Sequence, residues 1–343
     1  MKDYSEFEHV LASKDNKQSK KEKKRLQEKD RSKSKPSPVE GKRGRVLSVS
    51  STEVIVDLDG EEVPCSLRGI LKKEKSDQKR VIAIGDFVIV DERGQVAAVE
   101  ERYSQLARRD NLRRRLAQVI AANIDQVIIV TSVAEPSLKP SLIDRYIISA
   151  IRGHMSPLVI VNKIDLAQDK ANLDEILSIY KNLNIPVIEV CCLNKKGINE
   201  LRQAMKGKAS VFSGQSGVGK TTLINLIAGT DYKTGEIVEK TQKGVHTTTQ
   251  STLVKIDDDS FCIDTPGIKS FSLWDVTTEE LAHYFSDLQQ FSTDCKFVNC
   301  THTHEPHCGV RKAVEEGKVS KLRYDSYVTI REGNDEDQKN HWE

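Results

Sequence analysis

The stretch from Gly214 to Thr221 reads Gly-Gln-Ser-Gly-Val-Gly-Lys-Thr, and it constrains the chain more than any other feature. Its glycines let the backbone wrap with N–H groups turned inward around an anion, and a helix N-terminus behind them adds positive potential. The stretch lies between a strand-like run, residues 209–213, and a helical pattern over residues 222–228, which is the setting a phosphate-binding loop requires. Gly214, Gln215, Ser216, Gly217, Val218, Gly219, Lys220, Thr221 and Thr222 are therefore the candidate phosphate-binding residues. Lys220 is expected to reach the β and γ oxygens and to act in catalysis, and Thr221 to coordinate Mg²⁺.

The surrounding pattern supplies the rest of such a domain. Apolar runs at residues 126–131, 157–162, 186–191, 209–213 and 260–264 alternate with helical patterns such as 138–152 and 173–183. Buried strands separated by helices predict a parallel sheet covered on both faces, an α/β domain over residues 118–275. Upstream, residues 44–103 hold five short β-type runs at roughly ten-residue spacing, with Asp59-Gly60, Gly85-Asp86 and Gly94 as turn signals. They predict a small β-barrel of the OB type over residues 43–103, with a five-stranded sandwich as the alternative. Residues 104–117, with the basic run 111–116, read as a linker. Residues 276–332 read as a helical domain bearing cysteine and histidine, and 333–343 as an acidic tail. Residues 13–38 are too poor in apolar side chains to offset chain entropy, and residues 1–42 read as a disordered basic extension.

Three further stretches bear on the nucleotide. Asp264-Thr-Pro-Gly267 follows an apolar strand; its aspartate can hold Mg²⁺ through water and the Gly267 N–H can sense a γ-phosphate. Between the two loops, residues 244–249 are polar and turn-rich, and Thr248 is the choice for a second Mg²⁺ hydroxyl, with Thr247 and Thr249 as alternatives. Asn162-Lys163-Ile-Asp165 follows another apolar strand. An aspartate there can accept from both the guanine N1–H and its exocyclic amine, with Asn162 and the Lys163 stem holding the loop and base plane; adenine offers no such donor pair. Taken alone, Asp165 could be a helix N-cap, but beside the phosphate loop the combination predicts GTP. Residues 190–197 sit where a backbone N–H could meet guanine O6. Because the base-reading stretch precedes the phosphate loop, the domain reads as circularly permuted. Many GTPases position the attacking water with a glutamine just after Asp-x-x-Gly. Ile268 stands there in this chain, so intrinsic hydrolysis should be slow, and His246 is the candidate for that task.

Cys295, Cys300, His302 and Cys308 offer three thiolates and an imidazole within fourteen residues, enough for one closed structural Zn²⁺ site, with His304 and His307 as competitors for the imidazole. An odd count of seven cysteines argues against a disulfide framework; Cys65 and Cys262 read as strand fillers. With Ala121-Ala-Asn-Ile-Asp-Gln126, these motifs make the chain resemble the RsgA (YjeQ) family of small ribosomal subunit biogenesis GTPases over residues 43 to about 332. That resemblance implies an OB-fold, a circularly permuted GTPase domain and a zinc-binding helical domain, with GTP hydrolysis stimulated by the small (30S) ribosomal subunit late in its maturation. The pair Cys191-Cys192 departs from the Ser-Ala usual in such proteins.

Charge fits that partner. Residues 1–45 carry 15 basic and 8 acidic side chains, net +7, on a body of net −5, and an rRNA-facing surface is expected from Lys20–Arg25, Lys42–Arg45 and the arginines at 108, 109 and 113–115. No apolar run approaches the ~20 residues of a membrane span, and no secretory h-region opens the chain. A soluble, cytoplasmic monomer is expected, with GTP/GDP, Mg²⁺ and Zn²⁺ as cofactors and rRNA of the small subunit as partner. An RNA-binding adaptor with a mainly regulatory nucleotide site is the alternative.

Overall fold

The computed structural model describes residues 40–50, 53–67, 82–109, 117–229, 252–257, 259–264 and 276–339. The first five strands are β1 (Lys42–Val49), β2 (Val54–Leu58), β3 (Glu61–Leu67), β4 (Phe87–Val90) and β5 (Gln95–Val99). They close into a barrel in the order β1-β2-β3-β5-β4, with β1 antiparallel to both β2 and β4, and β3 parallel to β5. Closure rules out the sandwich and fits the OB-fold. Alternate side chains fill the interior: Val46, Val54, Val56, Cys65, Val88 and Val96 are all buried. Asp59 and Gly60 both have positive φ, the backbone that a two-residue hairpin needs.

The expected linker is not one. Gln105–Arg109 forms β6 and pairs antiparallel with β7 (Ala117–Ala122). Leu106 and Ala121 are buried in the main core, so an apolar alternation hidden among basic residues places this pair against the central domain. The arginine-rich residues 111–116 lie outside the described residues.

The central sheet comprises β8 (Gln126–Ser132), β9 (Ser156–Asn162), β10 (Val187–Glu189), β11 (Ala209–Ser213), β12 (Thr252–Lys255) and β13 (Phe261–Asp264). Its order is β10-β9-β8-β11-β13-β12. The expectation of a wholly parallel sheet needs correction at one edge, where β12 runs antiparallel to β13. A short turn joins them, and a short turn can only reverse the chain.

Both faces of the sheet are covered, as the fully buried β8 requires. Val127 and Ile129 pack in one core with Ile143 and Tyr146 of α1 (Pro140–Arg152) and Leu173 and Leu177 of α2 (Lys170–Asn182). Ile128 and Val130 face the other core, with Leu201 of α3 (Ile198–Met205) and Leu223 of α4 (Lys220–Ala228). Proline at the start of α1 and Asp169 capping the Asn172 N–H of α2 set the two helix starts.

The carboxyl-terminal module holds α5 (Ser286–Gln289), α6 (Gly309–Glu315) and α7 (Lys321–Lys339) around Phe285, Leu288, Val310, Tyr327 and Ile330. Ile148 of α1 belongs to the same core, so the module is packed onto the central domain. The seam is ionic as well. Arg323 of α7 is 4% exposed and bonds Asp144 of α1 and, at 3.0 and 3.1 Å, Asp287. Asp144→Ala leaves that buried guanidinium with Asp287 alone, and a loss of about 3–5 kcal/mol is expected. Thermal melting should show it as a shift of several degrees. A melting point within about a degree of the parent would mean that the pair adds nothing to the seam.

Candidate functional site

The phosphate loop follows β11 directly. Gly214 has φ +143°, and a Cβ there would collide with the Val130 carbonyl; Gly217 and Gly219 have φ +82° and +96°, and a Cβ on Gly219 would strike the Asn162 amide. All three positions therefore demand glycine. Lys220 opens α4, and its ammonium donates to the carbonyl oxygens of Gly214 at 2.9 Å and Gln215 at 2.7 Å, which places the charge over the loop. Thr221 and Thr222 lie in the first turn of α4, where backbone N–H groups lack helical partners.

The base-side turn lies against this loop. Asn162 ends β9 almost fully buried, and its Nδ2 donates to the Val218 carbonyl at 2.8 Å. Lys163 takes a left-handed backbone conformation and its Nζ donates to the Glu135 carbonyl at 2.5 Å. Asp165 stands exposed in the short 3-10 turn Ile164–Leu166. It does not cap α2, because Asp169 does. Sequence reasoning gave the stretch after β10 only a backbone role. In the structure Cys191 Sγ donates to Asp165 Oδ1 at 3.0 Å and Cys192 Sγ to Asn162 Oδ1 at 3.4 Å. The signal for this was the adjacent thiols themselves.

Asp264 ends β13 in register with Phe212 of β11, at the end of the sheet from which the phosphate loop leaves. His246, Thr248 and Gly267, together with Ile268, lie outside the described residues.

The donor atoms of Cys295, Cys300, His302 and Cys308 all lie within 4.8 Å of one another. His302 Nδ1 is 3.5 Å from the sulfurs of both Cys295 and Cys308, which are 3.8 Å apart. A tetrahedral Zn²⁺ with bonds of about 2.3 Å to sulfur and about 2.0 Å to nitrogen has edges of about 3.5 and 3.8 Å, so the donor set fits that ion. His304 and His307 are exposed. The ligand loop is held from behind: Tyr324 donates to the His302 carbonyl at 2.8 Å and Tyr327 to the Thr301 carbonyl at 2.9 Å. Glu305 receives the Thr301 N–H at 2.7 Å. Although burial pushes its carboxyl up, the bonds from Thr301 and neighbouring N–H groups hold it down at about 2.

The barrel joins the central domain through Asn123, a fully buried residue within the 121–126 motif. Its side chain donates to the Gly85 carbonyl and accepts from the Tyr103 N–H, both at 3.1 Å, and its carbonyl accepts from Arg45 at 2.7 Å. This changes the reading of the basic run 42–45. Arg45 is stacked between Phe87 of the barrel and Phe261 of β13, and Arg43 pairs with Glu100 at 2.9 Å. These two arginines build the joint and the barrel wall.

The RsgA GTPase family model matches residues 99–274. The small ribosomal subunit biogenesis GTPase RsgA of Chlorobaculum parvum is 39% identical over 85% of this chain and 98% of its own length; that of Bacteroides fragilis is 37% identical over 81% and 92%. Among solved structures, YjeQ from Thermotoga maritima has a TM-score of 0.68 at 32% identity, covering 85% of this chain and 98% of that one. YloQ, a circularly permuted GTPase, has a TM-score of 0.65 at 26% identity, covering 88% and 98%. With the base-side turn on β9 preceding the phosphate loop after β11, and with relatives matched along nearly their whole length, the chain belongs to the RsgA GTPase family and hydrolyses GTP to GDP and phosphate.

Proposed function

We propose that this GTPase binds the small ribosomal subunit late in its maturation, that the subunit stimulates GTP hydrolysis, and that hydrolysis releases the protein. One observation carries the nucleotide part: the Asn162 bond to Val218 joins the base-side turn to the phosphate loop as one pocket. The partner is drawn from the relatives, whose names place them in small-subunit biogenesis.

In this reading Asp165 accepts from guanine N1–H and the exocyclic amine, while Asn162 and Lys163 hold the turn. Residues 214–222 cradle the phosphates, and Lys220 exchanges its loop carbonyls for β and γ oxygens. Thr221, Thr248 and, through water, Asp264 would hold Mg²⁺, which when bound neutralises charge on the phosphate oxygens. The Gly267 N–H meets the γ-phosphate. His246 orients the water whose oxygen attacks the γ-phosphorus as the bond to the bridging oxygen of GDP breaks. An aliphatic Ile268 cannot do this, so turnover waits for the subunit. The barrel and basic extension face rRNA through backbone contacts, and Cys295, Cys300, His302 and Cys308 hold one structural Zn²⁺. The working units are residues 43–103, 118–275 with β6 added to it, and 276–332, of a cytoplasmic monomer; among the described residues no helix is long and apolar enough to cross a membrane.

The test is GTP turnover by the purified protein with and without isolated small and large subunits, with ATP as control. Stimulation of roughly a hundredfold or more by the small subunit alone is expected. His246→Ala should bind GTP normally and lose most of that stimulation. Equal response to both subunits, or none, would overturn the partner; a fully stimulated His246 variant would overturn the assignment of that residue.

A further inference from the structure

The barrel is seated against β12, the edge strand of the central sheet. Leu47 is the extra residue of a β-bulge in β1, between Val46 paired with Val56 and Ser48 paired with Ile55. Val46 fills the barrel, whereas Leu47 belongs to the core of the central domain together with Leu253 of β12 and Ile263 of β13. Two residues before Leu47, the Arg45 guanidinium carbon lies 5.2 Å from the Phe87 ring centre and 4.8 Å from that of Phe261, the first residue of β13. Its Nη2 donates to the Asn123 carbonyl, and its Nε is buried with no hydrogen-bond partner among the described residues. One hydrogen bond and two ring faces therefore hold this side chain. A guanidinium between two rings resists their separation, because its attraction to each face falls with distance.

Phe261 and Asp264 are the two ends of β13. At about 3.3 Å per residue, Arg45 grips the strand about 10 Å from Asp264. The neighbouring strand β11, which leads into the phosphate loop, is held in another way. The Asp125 N–H donates to the carbonyl of its first residue, Ala209, at 2.9 Å, and the Ala209 N–H to Asp125 Oδ2 at 2.7 Å. It also has β8 on one side and β13 on the other, whereas β13 has only the edge strand β12 beyond it. A shift of the barrel is therefore passed to β12 and β13, while β11 and the phosphate loop stay with β8. We propose that Arg45 is a positioning residue for GTP hydrolysis: by gripping Phe261 it passes the seating of the barrel along β13 to Asp264, so that a small subunit bound by the barrel sets Asp264 against the phosphate loop. Arg45 then couples partner to site without touching RNA.

The inference rests on the reading that the small subunit binds through the barrel and stimulates turnover, and the experiment separates the two. GTP turnover by the full-length protein is measured over a range of small-subunit concentrations, giving the unstimulated rate, the maximal stimulated rate and the half-stimulating concentration. Arg45→Ala should keep the unstimulated rate and the half-stimulating concentration within about twofold of the parent and lower the maximal stimulated rate about tenfold. Phe261→Leu removes the ring on the other side of the guanidinium but keeps an apolar side chain in the joint, so it should give the same result even where Arg45→Ala unseats the barrel. Arg45→Lys keeps a cation between the rings and should recover most of the stimulated rate. Arg43→Ala, on the same strand but paired with Glu100 on the barrel surface, should match the parent. A raised half-stimulating concentration with the maximal rate intact would make Arg45 an RNA contact and overturn the proposal. Equal losses of unstimulated and stimulated rates in Arg45→Ala and Phe261→Leu would make it a fold residue only, and overturn it as well. Full stimulation of both variants removes the proposal and leaves the partner standing. An unstimulated parent removes the partner, and the proposal falls with it.

Discussion

Lys220→Ala should cut kcat/KM for GTP by roughly 10²- to 10³-fold and weaken GDP binding strongly, with little change in melting temperature. The loop geometry explains the split. The ammonium is held over the loop by two backbone carbonyls, those of Gly214 and Gln215, so its position is set before any phosphate arrives and little reorganisation is needed to meet one. The fold loses one part-buried side chain rather than a core contact. Arginine should not rescue, because the planar guanidinium is bulkier and the glycine-lined loop has no room to turn it. Single-turnover hydrolysis with GDP titration checks both quantities. Turnover within a few-fold of the parent would remove Lys220 from the phosphate site.

The features legible in the sequence are those set by local periodicity. Strands such as β8 and β9 announce themselves because every residue is apolar over more than one turn's length, and a strand buried on both faces must read that way. The phosphate loop is legible because glycine alone satisfies φ at Gly214, Gly217 and Gly219. Tertiary choices were not legible. Leu106 and Val119 make a buried strand pair of a segment whose arginines suggest solvent. Arg45 lies between two phenylalanines from different domains, 87 and 261, a contact that no spacing encodes. The antiparallel edge strand β12 turned on the shortness of one connection. At the site, Asn162 was readable as a base-side residue, but its bond to Val218 depends on how closely β9 and β11 bring two distant loops together.

Loss of the metal should cost more stability than any single change in the nucleotide site, and Cys300→Ala is the cleanest way to show it. Cys308 would confound the test, because its sulfur also caps α6 by accepting the Arg311 N–H at 3.4 Å, and Cys295 accepts the Gly309 N–H at 3.3 Å. Cys300 contributes its sulfur to the cluster without capping a helix, so its removal tests the ion. Burial, with the neighbouring thiols adding to it, pushes the Cys300 thiol up to about 12. Such crowding of donors is unfavourable for bare thiolates and is relieved by a cation that binds all four. Zinc content should fall from one per chain to well below half. The carboxyl-terminal module should lose on the order of 4–5 kcal/mol, because Cys295, Cys300 and Cys308 sit against its small core around Phe285 and Tyr327. GDP affinity should stay within a few-fold of the parent, since the phosphate loop and base-side turn belong to other cores. Full zinc content in Cys300→Ala would show that another residue completes the site, and His304→Ala and His307→Ala in that background would identify it. A parental melting curve despite zinc loss would mean that the module stands on its apolar core and the Arg323 seam alone.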